Sequence, residues 1–214
     1  MVISFYGEGC FKIQSADTTI LIDQVGSESG LTQPRFKFDV ELKTLASVEA
    51  INSFGKEQKE RDGFQIIGPG EYNAKDVKIT GFGILSESSE KFIKTIYLAE
   101  IEGIKLCFLG HISEIPLADI MEHLEEIDIL FISAGGKPFL DQKTAAALIK
   151  KISPKIVIPS FYKVPGLKRK ADDLKVFLET MGKAKEKIEP QEKLTIKKKD
   201  LAEIKKLEIM ALKI

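Results

Sequence analysis

Short apolar, β-like runs alternate with turn residues along the first half of the chain. Val2 to Tyr6, Phe11 to Gln14 and Thr18 to Ile22 read as three antiparallel strands, with Ser15-Ala16-Asp17 as a turn between the last two. Val77 to Ile84 and Phe92 to Glu100 read as further strands, and Glu102-Gly103 turns the chain into another at Ile104 to Leu109. Beyond that point strands alternate with helices. Leu117, Ile120, Met121 and Leu124 fall on one face of a helix from Pro116 to Leu124, and Asp128 to Ile132 reads as a buried strand. Asp141 is placed to cap a helix carrying Ala145, Ala146, Leu148, Ile149 and Ile152, which Pro154 stops before a strand at Ile156 to Ile158. Leu174, Phe177, Leu178 and Met181 define one more helix, with Gly182 as its left-handed cap. Leu194 to Ile196 and Leu207 to Leu212 supply the last strands.

A β-rich first half and an α/β second half, with no Pro-rich or Gly/Ser-rich linker between them, imply one domain over residues 1–214. Two mixed sheets packed face to face with helices outside, an α/β class αββα sandwich, would bury each apolar face, although periodicity does not select it over other α/β layouts. Composition narrows the function classes. Lys plus Arg and Asp plus Glu are 32 each, so no global field draws in nucleic acid or an anionic membrane. No apolar run approaches the roughly 20 residues that cross a bilayer, and no basic, then apolar, leader opens the chain. Cys10 and Cys107 sit in apolar segments and read as reduced core thiols, which together with the missing leader places the protein in the cytoplasm.

Several segments carry a resemblance. Gly7-Glu8-Gly9-Cys10-Phe11 followed by Ile20-Leu21-Ile22-Asp23 resembles the opening of the metallo-β-lactamase superfamily, in the branch related to ascorbate-phosphate lactonases, where Gly-His-Ser-Cys-Phe precedes Leu-Ile-Asp-Pro. Leu31 to Val40 resembles the approach to that branch's metal motif, and Gly68-Pro69-Gly70-Glu71-Tyr72 its Gly-Pro-Gly-Glu-Tyr turn. Thr95-Ile96-Tyr97-Leu98 through Leu109-Gly110 is similar to its central hairpin, Ile156-Val157-Ile158-Pro159 to the strand before its last histidine, and Glu189 to Ile196 to its closing segment. The resemblance spans the chain and implies the αββα sandwich directly.

It also implies a metal centre of imidazoles and carboxylates around an activated water. This sequence departs from that pattern at the ligands. The Thr-His-X-His-X-Asp-His motif falls on Thr44 to Ala50, which puts Leu45, Ser47 and Ala50 at histidine positions and Glu49 at the aspartate. The next histidine falls near Ser86, the bridging aspartate on His111 and the last histidine on Phe161. Leu, Ala and Phe have no donor atom, and Ser is a poor neutral ligand for zinc. Glu49 and His111 remain as candidates to hold one ion or to pair with each other, and two ligands fall short of the usual three.

Other residues weigh less. His123 lies among Glu122, Glu125 and Glu126 on a helix face toward solvent. Gly7-Glu8-Gly9 lacks the spacing of a phosphate loop and reads as a turn. Gly135-Gly136 has backbone amides that an anion could use, or is a loop needing positive φ. Residues 142–171 contain eight basic side chains and no acidic one, including Lys163, Lys168, Arg169 and Lys170, which suits an anion or RNA as well as it suits the acidic run at 114–128.

Three functions follow. The leading expectation is a non-catalytic metallo-β-lactamase-fold protein without cofactor, a pseudoenzyme acting as a binding or interaction module, as a homo-oligomer or with an active homologue. The second is a hydrolase with a rearranged, single-metal zinc or manganese site using His111, Glu49 and carboxylates such as Asp23 or Glu8. The third is an anion or RNA binder through the Lys-rich stretch 143–170.

Overall fold

The computed structural model describes residues 1–49, 63–186 and 188–214. Strands β1 (Val2–Phe5), β2 (Phe11–Ser15) and β3 (Thr18–Ile22) pair antiparallel in succession, as the β-like runs and the turn between them predict. β4 (Val40–Lys43) and β6 (Phe64–Ile67) extend this sheet in parallel beyond β3, and β13 (Lys193–Thr195) closes its other edge against β1. The order is β13-β1-β2-β3-β4-β6.

The second sheet begins with β7 (Gly70–Ala74), β8 (Val77–Gly83), β9 (Phe92–Ile101) and β10 (Ile104–Phe108), all antiparallel. Glu102 and Gly103 join β9 to β10 with φ of 52° and 72°, and positive φ at both positions is what the right-handed twist of a tight hairpin demands. β11 (Ile129–Ser133), β12 (Ile156–Ser160) and β14 (Glu208–Ile209) then add in parallel, while β5 (Leu45–Ser47) pairs with the start of β9.

Parallel strands need crossovers, and helices supply them. α1 (Ala118–His123) joins β10 to β11, and α2 (Gln142–Ile152) joins β11 to β12. α3 (Leu174–Thr180) packs on α2, and α4 (Lys198–Glu203) precedes β14. Asp141 caps α2 as expected, its carboxylate accepting from Lys143 N at 2.9 Å and Thr144 N at 3.0 Å. Every residue of β11 and β12 is buried, as strands covered on both faces must be.

The two sheets meet through aromatic rings, giving the αββα sandwich. Phe11 of the first sheet lies edge-on to Phe131 of the second at 4.8 Å, Phe108 stacks on Phe131 at 4.5 Å, and Phe5 stacks on Tyr162 at 5.6 Å. One buried cluster runs from Ile3 and Ile13 through Leu106 and Ile132 to Leu148 and Phe177.

Three local expectations change. Gly70 to Tyr72, read as part of a turn, lie in β7, and the turn is confined to Gly68-Pro69. Leu117 stands at the N-cap of α1 and is 66% exposed rather than on its buried face. The last predicted strand shortens to Glu208–Ile209, with Leu212 bridging to Gln191. Cys10 and Cys107 are both buried free thiols, and no helix among the described residues is long and apolar enough to cross a membrane.

Candidate functional site

Strand ends build the site. Asp23 follows β3 with φ 43°, Thr44 links β4 to β5, His111 follows β10 after Gly110, and Phe161 follows β12 with φ 58°. Glu8 and Gly9 come from the β1–β2 turn. They surround a cavity of about 790 Å³ that Asp23, Leu45, His111, Phe139, Phe161 and Arg169 help to line.

A hydrogen-bonded chain crosses its floor. Thr44 donates its backbone N–H to Asp23 Oδ1 at 2.7 Å and its hydroxyl to Asp23 Oδ2 at 2.5 Å, and the same hydroxyl oxygen lies 2.7 Å from His111 Nδ1. With Asp23 ionised, that oxygen accepts from Nδ1–H, and Nε2 is left for a group in the cavity. Burial pushes the Asp23 carboxyl up to about 7, against the two Thr44 hydrogen bonds and the Lys43 charge that favour ionisation. Burial also pushes His111 down to about 4, helped by Lys94 and Arg169 and opposed by Glu8. The imidazole is therefore neutral at physiological pH, and its 3.7 Å approach to Asp23 Oδ2 is not an ion pair there.

Aromatic rings form the opposite wall. Phe161 lies 4.3 Å from Phe139 and 4.9 Å from His111, ring centre to ring centre, and is 2% exposed. A Cβ on Gly9 would stand 2.5 Å from the tip of the Phe161 ring, so glycine is what lets that ring seat. Arg169 fastens this wall: it bonds both oxygens of Glu8, donates to the Phe161 carbonyl at 2.6 Å and to that of Lys170 at 3.1 Å, and its guanidinium lies 5.1 Å from the centre of Phe139.

A third clasp holds the neighbouring loops. Glu87, in a short 3-10 turn after β8, accepts from the backbone N–H groups of Ser113 and Glu114, from the Ser113 hydroxyl at 2.6 Å and from Lys94 Nζ at 2.8 Å. Burial works against its charge, but these donors prevail and hold the carboxyl below its usual range.

The positions singled out in the sequence scatter around this arrangement. Leu45, His111, Phe161, Lys168 and Arg169 line the cavity. Ser47 is exposed on β5 opposite Phe92, Ser86 is exposed in the Glu87 turn, and Glu49 is exposed and does not line the cavity. Ala50 lies outside the described residues. Gly135 accepts from Asp172 N at 2.9 Å, and Gly136, at φ 69°, lies against the Asp172 carboxylate. Lys163 and Lys170 are exposed and do not line this cavity. His123 is exposed with its ring stacked on Phe82 at 4.9 Å. Sequence reasoning missed the linking hydroxyl of Thr44, Phe139 and the Glu87 clasp. Thr44 and Asp23 stood within quoted motifs, whereas nothing local marks Phe139 or Glu87.

A profile of the beta-lactamase superfamily domain matches residues 2–160. The chain belongs to the metallo-β-lactamase superfamily. Solved structures of that fold overlay its whole length. A Zn-dependent hydrolase-type protein of the metallo-β-lactamase superfamily from Thermotoga maritima has a TM-score of 0.77 at 23% identity, covering 99% of this chain and 98% of its own. The metallo hydrolase Igni18 from Ignicoccus hospitalis has a TM-score of 0.63 at 17% identity, covering 100% and 96%. An isothiocyanate hydrolase from Delia radicum gut bacteria has a TM-score of 0.61 at 13% identity, covering 92% and 99%. No curated protein matches the chain.

The metal that membership in the metallo-β-lactamase superfamily implies does not fit these residues. Leu45 and Phe161 line the cavity with carbon, His111 Nδ1 is engaged by Thr44, and the described residues hold no group of three or more His, Cys, Asp or Glu placed to bind an ion.

Proposed function

We propose that this superfamily member is a metal-free pseudoenzyme whose cavity serves as a small-molecule binding module. One observation carries the reading: the Phe161 ring, which the resemblance sets where a last histidine is expected, is packed against Gly9, Phe139 and His111 as a wall of the cavity. An aromatic ring there dries the site and supplies no donor. The Asp23–Thr44–His111 chain, the Arg169–Glu8 clasp and the Glu87 clasp tie together the loops that a metal would otherwise join. The unpaired Cys10 and Cys107 suit the reducing cytoplasm, where we place the protein.

Elemental mass spectrometry of tag-free protein tests this, before and after incubation with zinc and manganese. The expected result is no stoichiometric metal in either sample. About one metal per chain, lost on His111→Ala, would instead establish the single-metal hydrolase.

A further inference from the structure

Three neighbouring depressions on the surface share lining residues. Gln33 lines both the cavity at His111 and a second hollow, of about 900 Å³, over Tyr6 and Leu31. Pro165 and Ile214 line that hollow and also a third groove, of about 680 Å³, walled by Val164, Leu174, Leu178 and Ile188. Leu31 and Ile214 converge over Gly7, both within 3.6 Å of where its Cβ would stand, so together they form an apolar floor in the middle hollow, beside Thr32, Gln33 and Arg35. Ile214 is 51% exposed, which leaves that floor open to a ligand.

The chemistry changes along this track. Its first part presents an imidazole and charged groups of both signs, and its last part presents aliphatic side chains rimmed by charged ones such as Lys163, Asp173 and Lys175. At the junction stands Lys168, which lines the cavity while its stem packs against Gly30 of the middle hollow. Arg169 is met by Glu8 and Lys43 faces Glu41, whereas Lys168 has no ion pair among the described residues. A cation with no ion pair among the described residues, set beside an apolar trough, complements a molecule with an acidic head and a hydrocarbon tail.

We propose that the track binds a single-chain amphiphile, its carboxylate or phosphate at Lys168 and its alkyl tail laid over Leu31 and Ile214 into the Leu174 and Leu178 groove. This rests on the cavity being a ligand site rather than a metal centre. The ligand is one free molecule, not a membrane surface.

Isothermal titration calorimetry with n-alkyl carboxylates from butanoate to tetradecanoate, and with the matching alkyl phosphates, each as monomer, provides the test. Affinity is expected to rise about fourfold for each methylene that enters the track and then to level off. Lys168→Glu should weaken every length about fivefold, whereas Leu31→Gln and Ile214→Gln should flatten the dependence on length. In the wild-type protein, dodecanoate should shift the methyl resonances of Leu31, Leu174 and Ile214, which guards against a variant that fails to fold. Affinity indifferent to chain length, or binding to phosphatidylglycerol vesicles without binding of the monomers, overturns the proposal. Metal-free protein that binds no amphiphile removes this inference alone, whereas stoichiometric metal removes the reading beneath it.

Discussion

Thr44 carries a single hydroxyl proton, and that limit couples Asp23 to His111. When Asp23 is ionised the hydroxyl must point to it, and His111 donates from Nδ1; when Asp23 takes a proton the chain reverses and Nε2 carries the hydrogen instead. The pair also opposes itself in stability. Asp23, raised to about 7, holds a proton that the unfolded chain releases, so its contribution is complete below about pH 4 and is lost as pH rises through about 7. His111, lowered to about 4, refuses a proton that the unfolded chain takes up, so its contribution is complete above about pH 6.5 and is lost as pH falls through about 4. Between these limits the slopes cancel. Relative to wild type, Asp23→Asn should therefore gain stability with rising pH, and His111→Gln should lose it, each by up to about 1.4 kcal/mol per pH unit in urea titrations from pH 4.5 to 6.5. Parallel profiles for all three proteins would refute the coupling. Gly9 and Phe161 make a second testable pair. Gly9→Ala forces its new methyl onto the ring and should cost about 1–3 kcal/mol, and Phe161→Ala about 3–5 kcal/mol. In the double variant the cost of Gly9→Ala should largely vanish.

Among elements, the Glu87 turn is the one whose removal should be felt at a distance in sequence. Glu87→Ala strips the acceptor from two backbone amides and leaves Lys94 unpaired, so a loss of about 2–3 kcal/mol is expected, with faster hydrogen exchange at Ser113 and Glu114. Exchange unchanged at those amides would show that the clasp does not hold that loop. Legibility in the sequence followed the range of the causes. β1 to β3 and α2 declare themselves because β-like runs, an Asp cap and a 3.6 period are local signals. β4 and β6 did not, since they are parallel strands stabilised by partners whose positions the segment itself does not encode. β7 was hidden because Gly70 and Asn73 suggest a turn, and its pairing with β8 overrides that preference.

Across the whole molecule, the sandwich buries one cysteine near the site and the other in β10, with burial pushing Cys10 up to about 12 and Cys107 upward as well. Both thiols should resist a disulfide reagent in native protein and react together, with midpoints matching the global unfolding curve. Earlier reaction of Cys10 would mean that the cavity region opens by itself. The fold was legible because its motifs are continuous stretches. The site was legible at Leu45, His111 and Phe161 as residues that line the cavity, but not as the packed wall and hydrogen-bonded chain that the side chains make together. Those contacts join the β1–β2 turn, β3, β10 and β12, and no single segment encodes them.

The seating of Phe161 against Gly9 bears on reversibility in descent. A histidine placed at 161 would trade a fitted hydrocarbon ring for a polar one among Phe139, His111 and Gly9, while Leu45 still offered no second donor. The exchange would cost packing before any new donor could act there. The packed ring thus works as a ratchet, holding the cavity to uses that need no ligand atom at that position.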